Sequence, residues 1–384
     1  MTADPAAATR PRNRKQLIVE AAGRIFSERG YHMASMEKIA AGVGITAAAL
    51  YRHFPNKYAL FAECAGFMAD GLVEALEALP ADAGLEDVLR ATAQVTIAHR
   101  STGGVYRWEA RYLDAGDRRV LRGKFQQVVD RVASVVAPGP DRLDDHLRAV
   151  AALGAIGSIT MHRTRVSQQL AEDLLVGAAL RTSLTDRPTD ASVTTVPARP
   201  EVRTRREQIL AAAIPLFARD GFHNVTLGQV AEVVGIATSA IYRHFPTKVD
   251  ILAAACLQAA ALLDQAVAEA GDTLEALAAA YVGYSFEHRD LTSVAEAEIV
   301  GLPPTQQKPL VAAQRAHVAI WEQRLLGVRP ELDETRARVL VHAGLGVVVE
   351  AGRRLRWEDT PEHRRAVQAL LTAALGVPVT RPVG

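Results

Sequence analysis

IAAGVGITAAALYRHFPNK, Ile39 to Lys57, and VAEVVGIATSAIYRHFPTK, Val230 to Lys248, decide how this chain is read. They align without a gap at an offset of 191. The alignment extends outward to Arg14–Lys57 against Arg205–Lys248, with roughly four in ten positions identical. A later pair, Arg148 to Arg163 and Arg338 to Arg353, is similar at an offset of 190. A whole half has therefore been copied, not only its start. Between the copies, Ser183 to Val202 is rich in Pro, Thr, Ser and Asp and poor in large apolar residues, so it reads as a linker.

Each copy has helical periodicity. Leu17, Ile18, Ala21, Ala22, Ile25 and Phe26 recur at helical spacing, and Gly30 follows as a helix terminator. Ser35 is placed to cap a short helix carrying Met36, Ile39 and Ala40. Gly42-Val43-Gly44 breaks that helix, Thr46 caps the next, and Pro55 stops it. Asn56 then caps a longer helix through Leu60, Phe61, Cys64, Phe67 and Met68. Alternating strand patterns are missing, so the expected fold is all-α. Pro215 falls inside helix one of the second copy, on the polar side, where a kink is tolerable.

Two short helices around a tight glycine turn make a helix-turn-helix, whose second helix enters the DNA major groove. The quoted stretches, the preceding helix with its Phe and terminal Gly-aromatic pair, and the Ser/Thr before helix two resemble the N-terminal domain of TetR-family (tetracycline-repressor-like) regulators. The resemblance covers about 50 residues in each half and spans four helices twice. It implies backbone-contacting roles for Ser35, Tyr51, Arg52, His53 and Lys57, and for Thr226, Tyr242, Arg243, His244 and Lys248. A phenol, a guanidinium and an imidazole at the exposed end of the recognition helix can each donate to phosphate. Lys57 and Lys248 sit at helix N-termini, where dipole and ammonium together favour an anion. Thr46, Ala47 and Ala48, and Ala237, Thr238 and Ser239, are expected to face base edges. Alanine offers only methyl contact, so the first head is the poorer reader and the two heads prefer unlike half-sites. Leu50, Phe54, Ile241 and Phe245 are expected in the core.

Charge supports the same placement. The chain of 384 residues has a formal net charge of +1, but Met1 to Leu60 carries +5 and Arg199 to Ile251 carries +2, leaving −6 elsewhere. Basic segments attract a polyanion that the acidic remainder repels. Arg10, Arg12, Arg14 and Lys15 precede the first head, and Arg199, Arg203, Arg205 and Arg206 precede the second, as arms able to enter a minor groove.

The expected domains are 1–68 and 203–259 for the two heads, 69–184 and 260–384 for helical effector-binding and dimerisation domains, and 185–202 for the linker. The family is generally homodimeric, and here one chain holds both halves. The resemblance thus implies an intrachain pseudo-dimer with four helices at its centre, from 149–163, 170–184, 339–353 and 364–375, although a homodimer remains open. Gly154, Gly157, Gly344 and Gly346 would let those helices approach closely. The family also implies an effector pocket. Its candidate linings are His99, Tyr106, Trp108, Glu109, Arg111 and Tyr112, and Tyr281, Tyr284, Phe286, His288, Glu298 and Trp321. Their largely apolar character favours a lipophilic effector.

The partners expected are therefore a double-stranded DNA operator and a small-molecule effector, in a repressor role that the resemblance suggests. Two cysteines rule out a disulfide framework and fit the cytoplasm. Cys64 and Cys256 do not occupy matching repeat positions, so neither a metal site nor a cofactor is expected. No apolar run is read as reaching the roughly 18 residues of a membrane span, and the N-terminus lacks the apolar core of a signal peptide. The nucleophile-elbow, zinc-hydrolase, P-loop and dinucleotide-binding fingerprints are missing, which leaves no catalytic residues to name. The competing reading is an interaction protein whose Ala-rich first head has lost DNA binding.

Overall fold

A computed structural model of the chain describes residues 14–102, 105, 112–188 and 201–377. Arg10, Arg12, Arg199, Tyr106, Trp108, Glu109 and Arg111 lie outside those residues, as does most of the linker. The described part is helical, with seventeen α-helices and one isolated bridge, Arg142 to Asp186, in place of any sheet.

The first head comprises α1 (Arg14–Met33), α2 (Met36–Val43), α3 (Ala47–Tyr51) and the start of α4 (Lys57–Glu77). The second repeats it with α9 (Arg205–Asp220), α10 (Leu227–Val234), α11 (Thr238–Ile241) and α12 (Lys248–Glu269). Each closes its own core. Phe26, Ile39, Leu50 and Phe61 are fully buried in one, and Phe217, Val230, Ile241 and Ile251 in the other. The boundaries expected at 68 and 259 fall inside α4 and α12, so each head shares a continuous helix with the body. α9 runs unbroken past Pro215, which lies on its exposed face. α1 bends at Gly30, whose φ of 76° and ψ of 159° are not helical.

The body contains α5 (Leu85–Ala98), α6 (Ala115–Val135), α7 (Asp145–Gly157) and α8 (Gln168–Ser183) from the first half. The second half adds α13 (Leu274–Glu287), α14 (Arg289–Glu298), α15 (Pro304–Val328), α16 (Glu334–Arg354) and α17 (Pro361–Leu375). α7, α8, α16 and α17 pack together, and one hydrophobic core runs through residues of both halves. α7 crosses α16 at Gly154 and Gly346. A Cβ built on Gly346 would stand 2.5 Å from the Gly154 carbonyl oxygen, so only glycine permits this approach. Arg181 of α8 donates to the Ala373 and Ala374 carbonyls (2.9 and 2.8 Å), tying one half to the C-terminal end of α17. His162 and His342 stack across the same seam, ring centroids 4.1 Å apart.

The expectation that no run is long and apolar enough to span a bilayer needs correction. α12, with 22 residues, contains an 18-residue window of mean hydropathy 1.7 and meets that test by length and composition. Its Ile251, Leu252, Ala255 and Cys256 are buried in the core of the second head, which accounts for the composition without a membrane.

Candidate nucleic-acid interface

The turn of each head is set by caps. Ser35 Oγ accepts from Lys38 N (3.3 Å), and Thr226 forms a reciprocal box with Gln229. Gly44 and Gly235 end the following helices at φ of 71° and 72°, where a Cβ would be strained. Thr46 caps α3 by accepting from Ala49 N (3.1 Å), whereas its counterpart Ala237 starts α11 without a side-chain cap. The hydroxyl of Thr46 is therefore already tied to its own helix. Leu50, Phe54, Ile241 and Phe245 are buried and pull α3 and α11 onto the heads.

The opposite face is open. Tyr51 and Tyr242 are 46% and 56% exposed, and Arg52, His53 and Arg243 are exposed beside them, with His244 half-buried. Ala48 is exposed and Ala47 half-buried on the first recognition helix, while Thr238 and Ser239 are both exposed on the second. One head thus presents methyl groups where the other presents hydroxyls.

Lys57 and Lys248, expected at phosphate, have backbone carbonyls as partners within their own heads. Lys57 Nζ turns inward and donates to the carbonyls of Tyr31 and Ala34 (3.0 and 3.2 Å). Lys248 Nζ does the same with Phe222, Val225 and His223 (2.7, 2.8 and 3.3 Å). Each ammonium also lies over a ring, Tyr31 at 4.3 Å and Phe222 at 4.4 Å. Burial lowers both ammonium pKa values from the usual lysine range, with Glu298 opposing the shift at Lys248. These lysines hold the bend between helices one and two, and so aim the recognition helix indirectly. Of the arms, Lys15 pairs with Glu63 (2.6 Å), Arg203 with Glu201 (2.7 Å), and Arg206 lies over Phe245.

The two heads touch. His32, at the end of α1, lies 4.3 Å from His223 at the equivalent place after α9, measured between ring centroids. Tyr112 packs on Tyr31, His32 and His223 at this junction. The remaining pocket candidates separate as well. His99 is half-buried against Phe67. Tyr284 donates to the Ala259 carbonyl (3.0 Å), and His288 is fully buried at the α13–α14 junction. Glu298 accepts from Phe222 N (2.9 Å), joining α14 to the second head. Trp321 is fully buried and donates to His317 Nε2 (3.0 Å). Tyr281 and Phe286 border open space. Tyr281 lines a cavity of about 40 Å³, and Phe286 a cleft of about 570 Å³ beside it. Most of the polar groups around that cavity, including Ser285, Arg289, Thr292 and Arg353, were not among the expected residues. Ser285, Arg289 and Thr292 follow one another at helical spacing across the α13–α14 junction, whereas Arg353 comes from α16, far away in sequence. Among the described residues no cluster of His, Cys, Asp and Glu is arranged to hold a metal ion.

The profile of the family described as "Bacterial regulatory proteins, tetR family" matches residues 18–64 and again residues 209–255. The nucleoid occlusion factor SlmA of Photorhabdus laumondii is 37% identical over 75 residues, covering 19% of this chain and 38% of that protein. The SlmA of Serratia proteamaculans is 40% identical over 63 residues, covering 16% of this chain and 32% of its own. The chain therefore spans little more than a third of the curated relatives it matches. Among solved structures, the TetR-family transcriptional regulator PfmR from Thermus thermophilus is 21% identical with a TM-score of 0.39, covering 48% of this chain and all of that one.

Proposed function

From a chain that carries the DNA-binding domain of the tetR family of bacterial regulatory proteins twice, we propose a single-chain repressor that reads a non-palindromic operator. The observation that carries this reading is the pair of heads on one shared core, each exposing a Tyr-Arg pair at the end of its recognition helix. Tyr51, Arg52 and His53, with Tyr242, Arg243 and His244, are assigned to the phosphate backbone. Thr238 and Ser239 are assigned to base edges, with Thr46, Ala47 and Ala48 giving weaker, mainly methyl readout. Ser35, Thr226, Lys57 and Lys248 position the recognition helices. The two helical domains, 69–184 and 260–384, form the pseudo-dimer and the effector-responsive body, and the protein acts in the cytoplasm. An effector that favours one head arrangement over another would release DNA.

In vitro selection from random duplex DNA with the full chain, at fixed moderate salt, tests this. Two unlike half-sites at constant spacing are the expected result. A palindrome of one half-site would mean homodimers using one head each. No enrichment by folded protein would overturn direct reading.

A second reading is favoured by the three alanines at Ala47–Ala49: the first head no longer reads DNA and serves as a partner surface. On that reading Arg243→Ala abolishes binding while Arg52→Ala has no effect.

A further inference from the structure

The acidic remainder of the chain holds a basic face. On α6, Arg118, Arg119 and Arg122 are exposed, and none has an ion pair among the described residues. Exposed arginines elsewhere take carboxylates, as Arg203 does with Glu201 (2.7 Å) and Arg219 with Asp220 (2.6 Å). At about 100° per residue the three fall on one flank of the helix, beside the line of Leu121, Val128 and Val132 that faces the core. The acids of the same turns are engaged. Asp114, whose carboxylate interacts with Arg118, accepts from Asp117 N (2.8 Å). Asp117 accepts from Tyr58 Oη (2.7 Å) on the flank turned to α4, where Lys124 also pairs with Asp70. The next carboxylate on the helix, Asp130, lies about 12 Å along the axis from Arg122.

These arginines belong to the first head. Tyr58 follows Lys57 in the first turn of α4, just after the recognition helix and its Arg52. Its hydroxyl also accepts from Asp114 N (2.8 Å), which pins the first turn of α6 to the first turn of α4. Leu121, between Arg119 and Arg122, is buried in the core of the first head. The second half is built the same way without the charge. Leu310 of α15 is buried in the second head, and setting it on Leu121 brings Gln307, Lys308 and Val311 to the places of Arg118, Arg119 and Arg122. Gln306, at the place of Asp117, again reaches the start of the connecting helix, donating to Asp250 Oδ1 (3.1 Å). The surplus of cations lies in the half whose recognition helix begins Ala47-Ala48-Ala49. Arg118 and Arg122, four residues apart on one helix, repel each other, so folding gains nothing from the pair.

We propose that Arg118, Arg119 and Arg122 form a second DNA contact, gripping the phosphate backbone beside the half-site of the first head. The proposal rests on the reading of this chain as a DNA binder and deepens it. Duplex DNA carries a charge about every 1.7 Å of its axis, so a row of unpaired guanidiniums next to a recognition helix meets phosphates whatever the sequence. The contact adds affinity to the head that offers mainly methyl groups to base edges. The second head, with Thr238 and Ser239, does without it.

The test uses the full chain and a fluorescent duplex of random sequence, titrated by anisotropy across salt concentrations. Arg118→Gln/Arg119→Gln/Arg122→Gln should flatten the dependence of log affinity on log salt by about 2 to 3, and weaken low-salt binding at least about tenfold. Arg118→Lys/Arg119→Lys/Arg122→Lys should keep the slope, because charge carries it. Lys308→Gln, on the matching face of the second half, should change the slope by at most about 1. The glutamine variant should melt no lower than the parent, since it removes a repulsion. The three single glutamine changes share the loss and keep the test sound if the triple variant does not fold. An unchanged slope in folded glutamine variants, or a slope lost equally in the lysine variant, would overturn the contact. So would loss of polyglutamate binding with DNA binding intact, which would make an acidic protein segment the partner. Selection from random DNA is run in parallel. A chain whose slope depends on these arginines but that selects no sequence would sink the operator reading alone. A chain that selects an operator with a slope indifferent to them would sink this contact alone. No DNA binding by folded protein would sink both.

Discussion

Arg52 and Arg243 are exposed on both recognition helices, while the neighbouring lysines are folded inward, and this divides the cationic side chains into two kinds. Removing a phosphate-contacting arginine lowers affinity for all sequences and reduces the salt slope by about 1. Arg243→Ala should show this in anisotropy titrations across salt concentrations. Lys248→Met should not. It leaves three carbonyls without their shared donor, so it should cost about 1–3 kcal/mol of stability in a urea melt, with the slope of DNA binding nearly unchanged. A Lys248→Met protein of normal stability but reduced slope would contradict the clamp. The exposed Tyr-Arg pairs were legible in the sequence because the repeat marks them twice. The inward turn of the lysines was not. A lysine at a helix N-terminus looks the same whether its flexible stem reaches outward to phosphate or back to a carbonyl, and the choice depends on how helix one ends.

At the scale of elements, α7 and α16 cross with backbone close to backbone at Gly154 and Gly346. Gly346→Ala forces a methyl group against the Gly154 carbonyl, and overpacking of this kind costs about 1–3 kcal/mol. Denaturant unfolding should detect that loss, and unchanged stability would mean that the helices separate freely. The stacked histidines beside it make the seam sensitive to acid. Burial holds His342 down at about 4 and His162 at about 2, and the stacked His342, then Arg100 and Arg338, add to the shift at His162. At His342, Arg338 also lowers the value while Glu322 opposes it. Unfolded histidine titrates near 6.5, so below that pH the unfolded chain binds more protons than the folded one. Stability is therefore full above about 6.5 and falls with acid, by about 2 kcal/mol per buried histidine between pH 7 and 5. A His162→Gln/His342→Gln protein should lose less stability over that range; an identical pH profile would refute the assignment. The sequence made the small residues of these helices visible through the second repeat. It did not reveal the histidine pair, because 162 and 342 are not equivalent positions in the two copies.

For the whole molecule, the decisive fact is that both halves contribute to one core while each head keeps its own. Duplication, all-helical composition and the helix-turn-helix could all be read from residue patterns, since each is local or repeated. The contact of His32 with His223 and the polar cavity could not, because both are made by segments that meet only after the chain has folded up. On the function proposed above, one chain offers two unlike readers at a spacing fixed by its own packing. The most direct test is the number of chains on the DNA. Native mass spectrometry, or light scattering, of the 41.3 kDa chain on its selected duplex should give one protein per duplex, with both half-sites protected. Two chains per duplex, each protecting a single half-site, would contradict the pseudo-dimer account.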